Sequence, residues 1–243
     1  MIVMSKKRVF EGKVLGEGMS KDWKYFLETA PTFNYSTIGE ISLVCPFPNG
    51  KGSFLVREDQ PYLSKESPLE TIDQFFKTHR LMDYQLMRRT CQSLEALPSL
   101  KVPIVNQHFV LFPIIKPESS SWLNPLTIDD VQESGGFCMV TMSHGLCLEL
   151  PISKRSLVNL AGKAVYSLAT YRQDYASSLQ SDGVPLDYVS LPTTPFGQLL
   201  TTQEVLQSWR MSPGKFFSQY KLEEHLHWYQ QLADRPELAA LLY

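Results

Sequence analysis

The stretch GLCLELPISKRSLVNLAGKAVYSLATYR, from Gly145 to Arg172, changes its hydrophobic period at Pro151. Before the proline the text is that of an apolar strand. After Ser153, a helix N-cap residue, Leu157, Leu160, Ala161, Ala164, Leu168, Tyr171 and Tyr175 recur on one face of a helix at ~100° per residue. Arg155, Asn159, Lys163, Tyr166, Thr170 and Gln173 fall on the opposite face, with Lys154 and Arg172 at its rim. A strand that runs straight into a long amphipathic helix must lay the helix stripe against a sheet, which restricts the chain to architectures that mix the two.

The remaining text supplies both layers. YSTIGEISLVCPF and GSFLVRE flank PNGKG, whose Asn49-Gly50 is a strong turn signal. FCMVTM and LCLELPI flank SHG and read as a second hairpin. KVPIVNQHFVLFPII, around residues 102–114, is β-like, and LTIDDV is a short strand candidate. PESSSWLNP reads as a loop that carries Trp122. Ser67 and Glu70 form a capping box with Pro68 at the first helical position, so a helix starts there. DYQLMRRTCQSL continues as a second helix that Pro98 ends. SKDWKYFLETA is a short helix capped by Ser20, SSLQSDGVPLDYVSLPTTPFG a linker or irregular arm, and TTQEVLQSWR and PGKFFSQYKLEEHLHWYQQLA two helices. The expected fold class is α+β. One antiparallel sheet, built from the two hairpins and 102–114, packs against helices at 67–94 and 154–175, and the 202–233 helices cap the domain or mediate assembly.

Charge divides the chain into three segments. Residues 1–33 carry six Lys/Arg against four Asp/Glu, while 177–243 carry four against seven. The expected organisation is an N-terminal extension (1–34), a core (35–176) and a C-terminal helical extension (177–243). Within the core the basic residues gather. Lys77, Arg80, Arg88 and Arg89 face only Asp83 in their stretch, and Lys154, Arg155, Lys163 and Arg172 face no acid in theirs. Such groups are either solvated helix faces or a local anionic-partner footprint, which matters more than the net charge of −2.

Enzyme chemistry finds little purchase. The chain has no GxGxxG, no Walker A, no GxSxG and no HExxH. Cys138, His144 and Cys147 are the best metal candidates. A two-residue hairpin turn would set the two cysteines ~13 Å apart, and a three-residue turn would point them to opposite faces. His225 and His227, at spacing i, i+2, face different directions on a helix. All four cysteines are expected as free structural thiols, with no cofactor. No apolar run reaches the ~18 residues of a membrane span, and the start has no apolar segment behind its basic cluster, so a cytoplasmic protein is expected.

Five pieces, in order, resemble the ComK family of competence transcription factors from Gram-positive bacteria. They are YLSKESPLETIDQFF (62–76), SLKVPIVNQHFVLFP (99–113), Trp122, the hairpin from His144, and the helix that runs to Tyr175. The likeness spans Tyr35 to Tyr175. The family's basic segment carries a Gly-Arg pair that DYQLMRRT lacks, and Ser121 stands where a Cys often precedes the family's Trp. The resemblance implies a DNA-binding activator of competence genes that reads paired A/T-rich boxes from the minor groove as a pair of dimers. It also implies RNA polymerase and a Clp-protease adaptor as partners, and nucleoid association. Lys77, Arg80, Arg88, Arg89, Arg155, Lys163 and Arg172 are the expected DNA contacts. The alternative is a regulatory interaction protein of the same fold that titrates a partner or adaptor without strong DNA binding. Phe216, Phe217, Tyr220, Trp228 and Tyr229 either dock on the protein's own sheet or form an assembly surface.

Overall fold

The computed structural model describes residues 9–48, 50–175 and 183–234, so Asn49 of the expected turn lies outside the described residues. The fold is α+β, as expected, but the strands form two sheets rather than one. The second hairpin builds its own sheet. β1 (Val14–Leu15) pairs parallel with β10 (Cys147–Leu150), which pairs antiparallel with β9 (Phe137–Met142) and through it with β8 (Ile128–Ser134). The other sheet has six antiparallel strands. In spatial order they are β4 (Gln60–Ser64), β3 (Ser53–Arg57), β2 (Ile41–Pro46), β7 (Trp122–Leu123), β6 (Val110–Pro113) and β5 (Ile104–Val105).

Both faces of the six-stranded sheet are covered, which explains why its strands read as continuous apolar runs. Val44, Leu55, Ile104, Leu111 and Trp122 point to one face. Leu43, Cys45, Phe54, Val56, Val105, Val110, Phe112 and Leu123 point to the other. On the first face α2 (Pro68–Thr78) supplies Ile72, Phe75 and Phe76. Its capping box is formed as read: Ser67 Oγ accepts from Glu70 N at 3.4 Å, and Glu70 Oε2 accepts from Ser67 N at 3.0 Å. α3 (Tyr84–Gln92) follows, capped by Asp83 Oδ1, which accepts from Gln85 N and Leu86 N. It stops at Gln92, short of Pro98, because Ser93, Leu94 and Leu97 close tighter turns.

On the second face α4 (Lys154–Asp174) crosses β5 and β6 and shares a core with α1 (Lys21–Thr29), whose Trp23 and Phe26 are buried. The expected polar side of α4 is corrected here. Tyr166, Thr170 and Gln173 are buried. The residues that cover α4 come from the C-terminal segment. Trp209 packs on Tyr166 at 5.8 Å between centroids, Tyr166 Oη accepts from Arg210 N at 2.9 Å, and the Asp174 carboxylate accepts from Phe217 N at 2.8 Å. Asp174 also accepts from Gly214 N and so caps α6 (Lys215–Ala233) from another helix.

Four further elements depart from expectation. Trp122 lies not in a loop but in β7, fully buried between β2 and β6, with Nε1 donating to Pro117 O at 3.1 Å. β4 returns from β3 through Glu58 and Asp59, both at positive φ, the conformation that a two-residue hairpin requires. A helix α5 (Pro195–Thr201), capped by Thr194, sits in the expected linker, whereas TTQEVLQSWR forms only a 3₁₀ turn at Glu204–Leu206.

The three charge segments share one core. Phe10, Leu15, Trp23 and Phe26 from the first, and Phe196, Leu200, Leu206, Phe216 and Tyr220 from the last, join the cluster of α4 and the six-stranded sheet. Phe216 and Tyr220 therefore dock inward, while Trp228 and Tyr229 are 59% and 74% exposed. Truncation after Pro195 removes the cover of Tyr166 and the buried side chains of Phe196, Leu200, Leu206, Phe216 and Tyr220. The truncated chain is expected to lose cooperative unfolding in denaturant melts, and a sharp two-state transition would show that the tail is dispensable for the fold.

Candidate nucleic-acid interface

The stretch from Lys77 to Arg89 closes into neighbourhoods of different character. Lys77 Nζ sits 2.6 Å from Asp73 Oδ2, one turn earlier on α2. Arg88 Nη1 lies 3.7 Å from Glu118 Oε1. Arg89 is exposed and has no carboxylate within ion-pair distance among the described residues. Arg80 ends α2 and opens onto a cleft that also holds Glu40, Glu58 and Glu224. The sequence gathers these four cations; the fold does not give them a common acid-free surface.

Arg172 has a structural post. Its guanidinium donates to three carbonyls: Nε to Gln107 O, Nη2 to His108 O and Nη1 to Tyr188 O, at 3.0–3.1 Å. It ties the β5–β6 turn and the 185–188 turn to α4.

The α4 group is different. Lys154 and Arg155 border one hollow with Leu199 and Gln203, and Lys163 borders another with Glu95, Val205 and Arg210. Both hollows flank the 203–205 segment, which rests on Gly162, where a Cβ would come within 3.3 Å of Gln203 Cγ. Arg155 and Lys163 thus share one edge of α4, whereas Lys154, nine residues before Lys163, stands half a turn round the helix, where its charge acts on Asp130. Arg155 and Lys163, eight residues apart, are separated by about 12 Å along the axis. None of the three has a carboxylate within 4.0 Å among the described residues. The field is not purely positive: Glu95 lies beside Lys163, and Glu204 pairs with Arg210 at 3.6 Å. Ser153 caps the helix, and its first turn holds no acid, so the positive end of the helix dipole adds to the two leading cations. Arg210 extends the group and was not legible, because it stands in the acidic C-terminal segment and reaches Lys163 only through the tertiary fold.

The metal candidates do not converge. Cys147 pairs with Thr141 and Leu150 with Cys138, so the cysteines point to opposite faces of the hairpin, the three-residue-turn outcome. No group of three His, Cys, Asp or Glu side chains among the described residues could hold a metal. His144 packs its ring on Phe10 at 4.4 Å and is 3% exposed, and neither ring nitrogen has a partner among the described residues. Burial pushes its pKa down from 6.5 to about 4. The unfolded chain therefore binds the proton more readily than the folded one. His144 stability is complete above about pH 6.5 and drains as pH falls toward 4, by up to about 3 kcal/mol at 1.4 kcal/mol per unit. Denaturant melts across that window should show the slope, and His144→Phe should flatten it; an unchanged slope would assign the acid sensitivity elsewhere.

No helix among the described residues is long and apolar enough to cross a membrane. Comparison of the chain with family models, with curated proteins and with solved structures gives no match.

Proposed function

We propose that this protein is a DNA-binding transcriptional regulator of the ComK type, an activator of competence genes that reads A/T-rich promoter boxes. The reading rests on the edge of α4: Arg155 and Lys163 stand on the exposed side of an otherwise buried helix without ion-pair partners among the described residues, Lys154 opens its first turn, and Arg210 lies beside Lys163. Cations fixed on a rigid element can neutralise phosphates and release their counterions. A narrow A/T minor groove strengthens the negative potential they meet. Arg89 is a further phosphate contact in this reading. Lys77, Arg88 and Arg172 contribute less, since each is already engaged. Self-association into dimers, RNA polymerase and a Clp-protease adaptor as partners, and a cytoplasmic, nucleoid-associated location belong to the same proposal.

The second reading, a regulatory interaction protein that titrates a partner, draws on the acids beside the cations and on α6. Leu222, Leu226 and Tyr229 are 46–74% exposed at helical spacing, an apolar strip that DNA does not need.

Fluorescence anisotropy on A/T-rich and G/C-rich duplexes at two salt concentrations separates the two. Saturable, A/T-preferring binding that weakens steeply with salt is the expected outcome. Arg155→Ala combined with Lys163→Ala should reduce the salt slope by about 2 without shifting the unfolding midpoint, because both side chains are exposed. A chain that binds neither duplex even at about 50 mM salt would give the function to the second reading.

A further inference from the structure

A hollow of about 730 Å³ lies apart from the α4 edge. It opens between the 38–40 segment, the end of α2, the β5–β6 turn, the last turn of α4 and α6. Its floor is apolar: Phe75 and Phe109 are buried with centroids 6.4 Å apart, and Tyr171 and Tyr175 stack at 4.4 Å.

Its charges are unusual in their incompleteness. Lys221 and Glu224 satisfy each other at 2.6 Å. Glu40 and Glu58 each commit one oxygen internally. Glu40 Oε1 accepts from Asn124 Nδ2 at 2.7 Å, and Glu58 Oε1 accepts from Glu40 N at 2.6 Å. Their other oxygens have no partner among the described residues. Burial raises the Glu40 pKa, the Glu58 and Asp59 carboxylates raise it further, and Asn124 and the more distant Arg172 lower it; Arg172 is already bonded to three carbonyls, so no cation is in ion-pair contact with the pair among the described residues. Arg80 lines the same cleft, yet no carboxylate among the described residues comes within 4.0 Å of its guanidinium. The two poles are held apart. Asn106, 3% exposed, uses Oδ1 to accept from His108 N and Phe109 N, and its Nδ2 makes no bond among the described residues.

Arg80 also holds a backbone position suited to glycine. Leu81 N donates to Phe76 O and Arg80 N to Lys77 O, the paired bonds that close a helix through a left-handed residue, and Arg80 has φ 53°. Arginine there opposes the local preference, and residues held in such conformations cluster at ligand-binding and active sites.

We propose that this cleft binds a small zwitterion with an apolar body, an α-amino acid or the end of a short peptide. Its ammonium group meets the free oxygens of Glu40 and Glu58, its carboxylate meets Arg80 and the Asn106 amide, and its side chain rests on the Phe75–Phe109–Tyr171 floor. The assignment does not depend on the DNA-binding reading. A pure cation would leave Arg80 unpaired, and a pure anion would face the carboxylates.

Isothermal titration of the full chain with L-phenylalanine and with the dipeptide Leu-Phe tests it. Saturable binding of one or both is expected. N-acetyl-L-phenylalanine and L-phenylalanine amide should each bind at least tenfold more weakly, since either change leaves a charged pole unmet. Whichever of the two probes binds tighter identifies the source, free amino acid or peptide, and either upholds the site. Arg80→Gly should bind at least tenfold more weakly while its unfolding midpoint rises by about 2–4 °C, which rules out misfolding as the cause. Glu58→Gln keeps the oxygen that accepts from Glu40 N and should also weaken binding. The proposal is overturned if neither probe saturates at millimolar concentration, if the capped compounds bind as well as the parent, or if Arg80→Gly loses DNA affinity with ligand affinity unchanged.

Discussion

The burial of α4 is the constraint on which the rest depends. A helix of 21 residues runs between the six-stranded sheet and the C-terminal segment, and twelve of its residues are buried. Small residues make this approach possible, with Ala161, Gly162, Ala164 and Ala169 letting neighbours come near the backbone. Its buried hydroxyls are disposed of locally. Ser167 Oγ donates to Lys163 O and Thr170 Oγ1 to Tyr166 O, each one turn back, so neither demands an external partner. At its end Asp174 caps α6, and Arg172 gathers three carbonyls from two turns. The helix is therefore both core and junction. That rigidity is what makes a cation on its one exposed edge a fixed feature rather than a wandering side chain.

The same helix shows where a sequence stops being informative. Leu157, Ala161, Ala164 and Leu168 were legible as a buried stripe, because a 3.6-residue period requires only that one face meet a core. The burial of Tyr166, Thr170 and Gln173 was not legible, because it is imposed by Trp209 and α6, about forty residues downstream. Local chemistry read well where it is self-contained: the Ser67–Glu70 box, the Ser20 and Ser153 caps and both hairpins stand where their residues put them. It read poorly where pairing is remote. Trp122 sits in a two-residue strand, and its partners are 78 and 9 residues away in β2 and β6, as the registers Val44↔Trp122 and Pro113↔Trp122 require; the strand is too short to carry an alternation of its own. α5 was visible in principle, since Thr194-Pro195 is an N-cap followed by a first-turn proline, but it was masked by the Pro- and Ser-rich text around it.

Charge follows the same division. The α4 edge was legible because Arg155 and Lys163 share a helix. Asp73, four residues before Lys77, disperses that cation's field; the i, i+4 spacing is in the sequence, but setting only Asp83 against the group misses it. Glu118 beside Arg88 and Arg210 beside Lys163 were not legible, since each pair joins separate elements. A run of like charges in a sequence thus fixes only the number of cations available. Whether they form a footprint depends on which acids the fold brings to them.

Arg80 joins these threads. Its neighbours in sequence suggest a phosphate contact, its backbone conformation suggests glycine, and its place in the fold is the mouth of a cleft with an apolar floor. The first of these is a property of the text alone and holds for any exposed arginine. The second and third are independent of each other, one set by the close of α2 and the other by β5–β6, α4 and α6. Both bear on one side chain, which has no ion-pair partner among the described residues although Glu40, Glu58 and Glu224 line the same cleft. In this fold the surroundings of that side chain, a carboxylate pair, an unbonded amide and stacked rings, are matched by a ligand with two opposite charges and an apolar body more closely than by a phosphate backbone.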